Sequence, residues 1–222
     1  MYRTMMSNTL FGPSIGRRAA LAGGLGLAAA GGSLAKPKPK ALSKAGSASY
    51  VPPLLGEPNA HKRFSLWGSL TCPYTAALVP VLIKIVQDNP GRVALTWRHF
   101  PTHPPDPALH VAALSLADTH FWGFIGGVLA IVCADGGSYE RLTPDKLAEL
   151  AQAQGGSQAD LTAAYADSHK WKAVKDDFLA GKLMGVLRTP GLFYDGYFLT
   201  ATGMPSDLAG FDKSLRDMIA AA

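Results

Sequence analysis

Between Lys62 and Phe100 the side-chain pattern changes period twice. KRFSLWGSL, residues 62–70, has the length and the aromatic and aliphatic character of a strand, and RVALTWRHF, 92–100, shares it. Between them PYTAALVPVLIKIVQDN, 73–89, sets Ala77, Leu78, Val81, Leu82 and Ile85 on one 3.6-residue face and stops at Asn89-Pro90-Gly91. A strand, a helix and a strand joined by short links make a β-α-β unit. Such a unit lays two parallel strands side by side and needs helices to cover the sheet.

The remainder of the chain fits that demand. After the proline-stiffened loop FPTHPPDP, 100–107, a helical block is expected from about 107 to 186. Within it Thr143 before Pro144 reads as an N-cap followed by a proline at the first helical position. GFIGGVLAIVCA, 123–134, is too short to span a bilayer and reads as a buried helix, with Asp135-Gly136-Gly137 as its stop. GLFYDGYFLTA, 191–201, reads as two short strands around Asp195-Gly196, a pair suited to a type I′ turn. DLAGFDKSLRDMIAA, 207–221, closes the chain as an amphipathic helix.

The chain has 222 residues, of which 48% are apolar, enough for a substantial core. Its net charge of +5 suggests a polyanion partner until the charges are placed. All seven basic residues up to position 50 lie in a stretch without a single acid, and from 51 onward 14 basic residues face 16 acidic ones. The body is therefore slightly acidic, and nucleic acid is not an expected partner. Residues 1–35 read as an export signal peptide: Arg17-Arg18 precede a mildly apolar Gly/Ala run ending in Ser33 and Ala35, with cleavage expected after Ala35 and an uncleaved membrane anchor as the alternative. The arginine pair favours the twin-arginine route; Ala20, where a bulky residue is usual, leaves the general secretory route open. A Pro/Lys/Ser linker spans 36–53. The reading places the mature chain in the periplasm or another extracytoplasmic space, with no stable membrane span after cleavage.

The chemistry concentrates at Cys72-Pro73-Tyr74-Thr75. Proline suits the first helical position, which makes Cys72 the N-cap. A sulfur there is expected to face the unpaired N–H groups of Tyr74 and Thr75 and the positive end of the helix, both of which favour a nucleophilic thiolate. Thr75 lies close enough for its hydroxyl to donate to that sulfur, but it cannot form a disulfide. The other cysteine, Cys133, falls within the apolar helix and is expected to be buried and inert.

GEPNAHKRFSLWGSLTCPYT (56–75), TWRHFPTHP (96–104), FWGF (121–124), LTPDKLAELA (142–151) and GVLRTPGLFYDGYFL (185–199), in this order and spacing, resemble the DsbA-like branch of the thioredoxin superfamily in its thioredoxin_4 form. The resemblance runs from 56 to 221. It implies an α/β thioredoxin fold with an inserted helical subdomain, built as 54–106 and 187–222 with the insertion at 107–186. It implies that Pro80 kinks the motif helix and that Thr189-Pro190 is a cis bond beside the active cysteine, where backbone groups meet an extended substrate. Pro73, Tyr74, Arg188, Thr189 and Pro190 are the substrate-binding residues so implied.

Two departures from the family pattern coincide. Thr75 stands where oxidising members carry a second cysteine, and Leu66 stands where they carry a buried acid six places before the first. Arg188 replaces a glycine and, near the sulfur, would favour thiolate or hold an acidic ligand. A dithiol cycle within the motif is thus excluded, leaving monothiol exchange by Cys72 with Thr75 in support. Cysteine-containing exported proteins or small thiols are the expected partners, with no cofactor beyond glutathione as a co-substrate. The alternative is a non-catalytic peptide-binding module or redox sensor. His99, His103 and His110 are split by prolines and give no metal-binding face, so no metal site is expected; His99 is read as bonded to backbone.

Overall fold

The computed structural model describes residues 50–199 and 207–221. The expected signal peptide, most of the linker, and Thr200 and Ala201 of the expected hairpin lie outside the described residues. The elements in chain order are β1 (Leu54–Gly56), β2 (Lys62–Gly68), α1 (Pro73–Asp88), β3 (Val93–His99), α2 (Asp106–Ala113), α3 (Asp118–Ala134), α4 (Pro144–Ala153), α5 (Gln158–Ala166), α6 (Ser168–Leu183), β4 (Gly191–Tyr194), β5 (Tyr197–Phe198) and α7 (Leu208–Ala220).

The strands form one mixed sheet in the order β1-β3-β2-β4-β5. β2 and β3 run parallel, as the β-α-β reading requires, with Leu66 opposite Trp97. β4 lies antiparallel on the other side of β2, in a register that pairs Leu66 with Leu192 and Trp67 with Gly191. Alternation then sorts the side chains. Phe64, Leu66, Leu95 and Trp97 join the large core with Leu78, Leu82 and Ile85 of α1, while Trp67 and Phe193 pack with Phe100, Val186 and Phe178. Gly68 leaves room for the Trp97 indole: a Cβ there would sit 2.4 Å from the ring.

β1 is absent from the sequence reading, and three residues are too few to show a period. It pairs antiparallel with β3, extended by Trp97 N–H donating to Pro53 O at 2.9 Å. The folded body also starts earlier than the expected linker end, since Tyr50 Oη contacts Asp177 Oδ2 at 3.4 Å and its ring lies 5.9 Å from that of His99. Residues 50–53 thus belong to the packed body.

The helix at the motif begins at Pro73 with Cys72 as N-cap, contains Pro80, and ends at Asp88 with Asn89 as C-cap. Its buried face is Thr75, Ala76, Leu78, Val79, Leu82, Ile85 and Val86, whereas Ala77 and Val81 are only half buried. The period is as expected but the phase is one residue later. α1 is wedged between the sheet and α3, so its apolar arc is wider than a single stripe and the stripe alone does not fix its centre. The expected helical block resolves into α2 to α6, with a break at Leu114–Ala117. Thr143 caps α4 through Lys146 N–H, and Asp195 (φ 45°) and Gly196 (φ 85°) make the hairpin turn. Among the described residues no helix is long and apolar enough to cross a membrane.

Candidate active site around Cys72

Sheet pairing assembles this site. β2 runs up to Gly68 and delivers the turn Ser69–Thr71 and then Cys72; β4 starts at Gly191 beside Trp67, so the chain entering it passes the same end. Thr189-Pro190, in the cis form, therefore lies against Cys72. The Cys72 thiol donates to Thr189 O at 3.4 Å, and both residues are nearly buried, Cys72 at 6% and Thr189 at 8% exposure.

The sequence expected that sulfur to accept from the helix N–H groups, and it does not: Cys72 is the N-cap by position but makes no side-chain cap bond. A thiol is a weak acceptor facing a strong carbonyl acceptor, so it donates instead. Nor does Thr75 hold the sulfur. Its side chain is fully buried and Oγ1 has no partner among the described residues. Pro73 and Tyr74 are exposed at the rim, Tyr74 at 59%. Arg188 is also exposed, directly before Thr189. Gly137 (φ +99°) brings the loop after α3 onto this rim, where a Cβ would lie 3.3 Å from Pro73.

Cys133 is exposed, not buried. α3 is apolar on most of its surface, and its outer side lines a groove with Ala76, Val79 and Pro80 of α1. Both cysteines are free.

Beneath the turn lies a polar cluster that the sequence reading missed. Asp106 Oδ1 accepts from Leu70 N–H and Oδ2 from Thr102 N–H, each at 2.9 Å. Ser69 Oγ bonds Thr71 Oγ1 at 3.1 Å and accepts from Thr102 Oγ1 at 2.9 Å, and Thr71 Oγ1 meets the exposed His103 at Nδ1, 2.7 Å away. His110, one helical turn after Asp106, approaches Oδ1 through Nε2 at 3.4 Å. That separation is within ion-pair range but lacks hydrogen-bond geometry, since His110 Nε2 counts as unpaired. His99, expected on backbone, instead bonds His110 Nδ1 at 2.8 Å and accepts from Trp97 Nε1 at 3.2 Å. Its backbone N–H donates to Asp177, which Arg98 holds at 2.7 Å. The one signal available in the sequence was Asp106 and His110 at i and i+4 on the first turns of a helix.

Burial pushes the Asp106 and Asp177 carboxyls up to about 6, in Asp106 against hydrogen bonds from Ser69 and Thr102 and in Asp177 against the Arg98 charge. Burial also drives His110 down to about 3 and His99 well below the ordinary imidazole range. Between about pH 6 and 4 the folded chain holds protons on two carboxyls that the unfolded chain has released, which favours folding as pH falls. Over the same range the unfolded chain holds protons on two imidazoles that the folded chain refuses, which opposes it. These contributions are expected to offset, leaving stability nearly level. Below about pH 4 the unfolded carboxyls protonate as well, the two histidines remain uncompensated, and stability should fall as the pH drops towards 3, where His110 takes up its proton in the fold. Asp88, held below its ordinary value by Arg216 and Lys84, acts in the same direction. Urea unfolding at stepped pH measures this; a steady decline from pH 6.5 would mean the two carboxyls stay ionised in the fold.

A family model described as Thioredoxin, of the Thioredoxin_4 type, matches residues 49–214. The chain belongs to this family. Solved structures agree with the Thioredoxin_4 assignment at the level of fold. The thiol-disulfide exchange protein alpha-DsbA2 from Wolbachia pipientis superposes with TM-score 0.64 at 15% identity, over 77% of this chain and 86% of that one. BdbD from Bacillus subtilis gives 0.64 at 17%, over 77% and 91%, and Proteus mirabilis ScsC gives 0.61 at 16%, over 77% and 74%. No curated protein sequence matches. The fold is thus an α/β thioredoxin fold carrying a helical insertion, as this Thioredoxin_4 chain's motifs implied. At Leu66 its departure has a structural counterpart: the residue is fully buried between Trp97 and Leu192, so the sheet beneath the motif is apolar at that position.

Proposed function

We propose that this chain is an exported monothiol disulfide-exchange protein, with Cys72 as nucleophile. The observation that carries the reading is the Cys72 sulfur at the start of α1, facing Thr189 O across 3.4 Å, with threonine at position 75 and Cys133 on a separate groove. In the first step the Cys72 thiol gives up its proton and the thiolate attacks a substrate disulfide. One S–S bond forms to Cys72, the substrate's S–S bond breaks, and the departing sulfur takes the proton. An external thiol such as glutathione then attacks the mixed disulfide, frees Cys72 and leaves joined to the substrate sulfur. Thr189, Pro190 and Arg188 line the substrate's path on one side, with Pro73 and Tyr74 on the other. Thr75 is assigned a supporting role at the base of the motif, where its unpaired hydroxyl becomes available if the sulfur turns from Thr189. The substrates are cysteine-containing exported proteins or small thiols, met in an extracytoplasmic compartment after passage by the signal at 1–35. The family match and the DsbA-like folds support thiol-disulfide oxidoreductase chemistry in general; the single thiol is what makes it monothiol.

A peptide-binding module is the second reading, favoured by the 6% exposure of Cys72 beside exposed Tyr74 and Leu187. Incubation with excess oxidised glutathione followed by peptide mass mapping separates the two. The expected product is a glutathione adduct on Cys72 that persists until reduced glutathione is added. An unmodified Cys72, or a Cys72–Cys133 disulfide, would overturn monothiol exchange.

A further inference from the structure

Seven large hydrophobic side chains stand exposed among the described residues, and four of them fall within nine positions: Leu179, Leu183, Met184 and Leu187. Leu183 is 88% exposed and Leu187 72%. A single exposed leucine is ordinary on a protein surface; such a run is not. Folding does not account for it. α6 packs inward through Ala173, Val174, Asp177, Ala180 and Gly181, and none of the four exposed side chains joins a core cluster. Leu179 and Leu183 are one helical turn apart and so share the outer face of α6. Gly185 (φ +86°) then turns the chain, Val186 N–H donates back to Gly181 O at 2.9 Å, and Val186 is buried while Leu187 faces out again.

We propose that this face is the docking surface for the substrate polypeptide of Cys72, and that it selects a segment carrying apolar and acidic side chains beside the reacting cysteine. The assignment rests on Cys72 being the nucleophile. Continuity with the site argues for a polypeptide. Leu187 lies two residues before Thr189, so their Cα atoms are at most ~7 Å apart, and Thr189 O is the atom that the Cys72 sulfur faces. A chain of a few residues held at Cys72 through its own cysteine therefore brings side chains to Leu187 and then to Leu183, whereas glutathione has no apolar side chain to offer them. Charge narrows the choice further. Between positions 172 and 188 the exposed charges are Lys172, Lys175, Lys182 and Arg188 against Asp176 alone. Asp176 is already paired with Lys172, and the buried Asp177 with Arg98. Lys182 is held over the Phe100 and Phe178 rings, 5.4 and 5.5 Å from their centroids. The leucines thus have a cationic border on a body that is otherwise slightly acidic, and acidic side chains in the partner complement it.

The test uses the full chain with Cys133→Ser and three synthetic peptides, each joined through its single cysteine to glutathione. One has leucines and glutamates flanking the cysteine, one has serines in place of the leucines, and one has lysines in place of the glutamates. The Cys72 thiolate attacks the peptide sulfur, an S–S bond forms between Cys72 and the peptide, and the glutathione sulfur departs and takes the proton. The rate of adduct formation, read by mass, is divided by the rate with oxidised glutathione in the same protein, which cancels any change at Cys72 itself. The peptide with leucines and glutamates is expected to lead the serine peptide by at least ~10-fold, the order for covering one leucine side chain, and to lead the lysine peptide several-fold. In Leu183→Ser/Leu187→Ser protein the lead over the serine peptide is expected to vanish. If the lead over either control peptide is absent, or the lead over the serine peptide persists in the double variant, the surface is overturned and monothiol exchange stands. No adduct with any peptide or with oxidised glutathione overturns both. Binding to phosphatidylglycerol vesicles that the double variant loses, without any peptide preference, would make the face a membrane surface and likewise overturns the proposal.

Discussion

With Cys72 replaced by serine, thiol exchange is expected to fall to the rate without protein. Disulfide exchange needs a thiolate, and an alcohol does not attack sulfur at neutral pH. The fold should survive, because the serine hydroxyl can donate to Thr189 O as the thiol does and the side chain is of similar size. Urea unfolding is expected to change by no more than ~1 kcal/mol, the ordinary range for a substitution that keeps its hydrogen bond. Exchange measured with a peptide disulfide should meanwhile be unaffected by Cys133→Ser, whose thiol sits on the α1–α3 groove. Retained exchange in the Cys72→Ser protein would move the chemistry elsewhere.

Asp177→Ala is expected to remove ~3–5 kcal/mol of stability, the usual cost of stranding one member of a buried ion pair. The aspartate side chain is only 3% exposed and serves three partners: the Arg98 guanidinium at 2.7 Å, the His99 N–H at 3.0 Å and the Tyr50 hydroxyl at 3.4 Å. Truncation leaves an uncompensated guanidinium and a buried N–H without an acceptor. The pair adds little by itself, since burial outweighs Arg98 enough to raise the Asp177 carboxyl to about 6. Breaking it is costly all the same, because Arg98 stays in place with 22% of its side chain exposed. Chemical denaturation at pH 7 gives the number; a loss under ~1 kcal/mol would mean that Arg98 swings into solvent.

Much of the fold and part of the site are legible in the sequence, wherever a single residue dictates its own backbone. Pro73 fixes the start of α1 and hence Cys72 as N-cap; Thr143-Pro144 does the same for α4, and Asp195-Gly196 supplies the positive φ values of the hairpin turn. Facts set by neighbours distant in sequence are not legible. The Cys72 sulfur bonds Thr189 O, 117 residues away, in preference to the helix N–H groups, and no local rule anticipates that carbonyl. Asp106 and Asp177 read as ordinary polar residues of a loop and a helix, and only packing reveals that each is sealed beneath the sheet end and bonded to backbone. The exposure of Cys133 is hidden for a related reason: an all-round apolar helix does not announce which side faces a groove.

The pairing of Trp67 with Gly191 has a wider consequence. A slip of β4 by one residue would turn its alternating side chains to the wrong faces and, in the same movement, carry Thr189 away from the sulfur. All four residues of β4 are buried, with Leu192 and Tyr194 in one core and Phe193 in the other, so the fit of the two cores proofreads the reactive centre: a chain whose cores have closed correctly has aligned nucleophile and carbonyl in the same act. Loop lengths within the helical insertion can consequently drift without misaligning those two atoms.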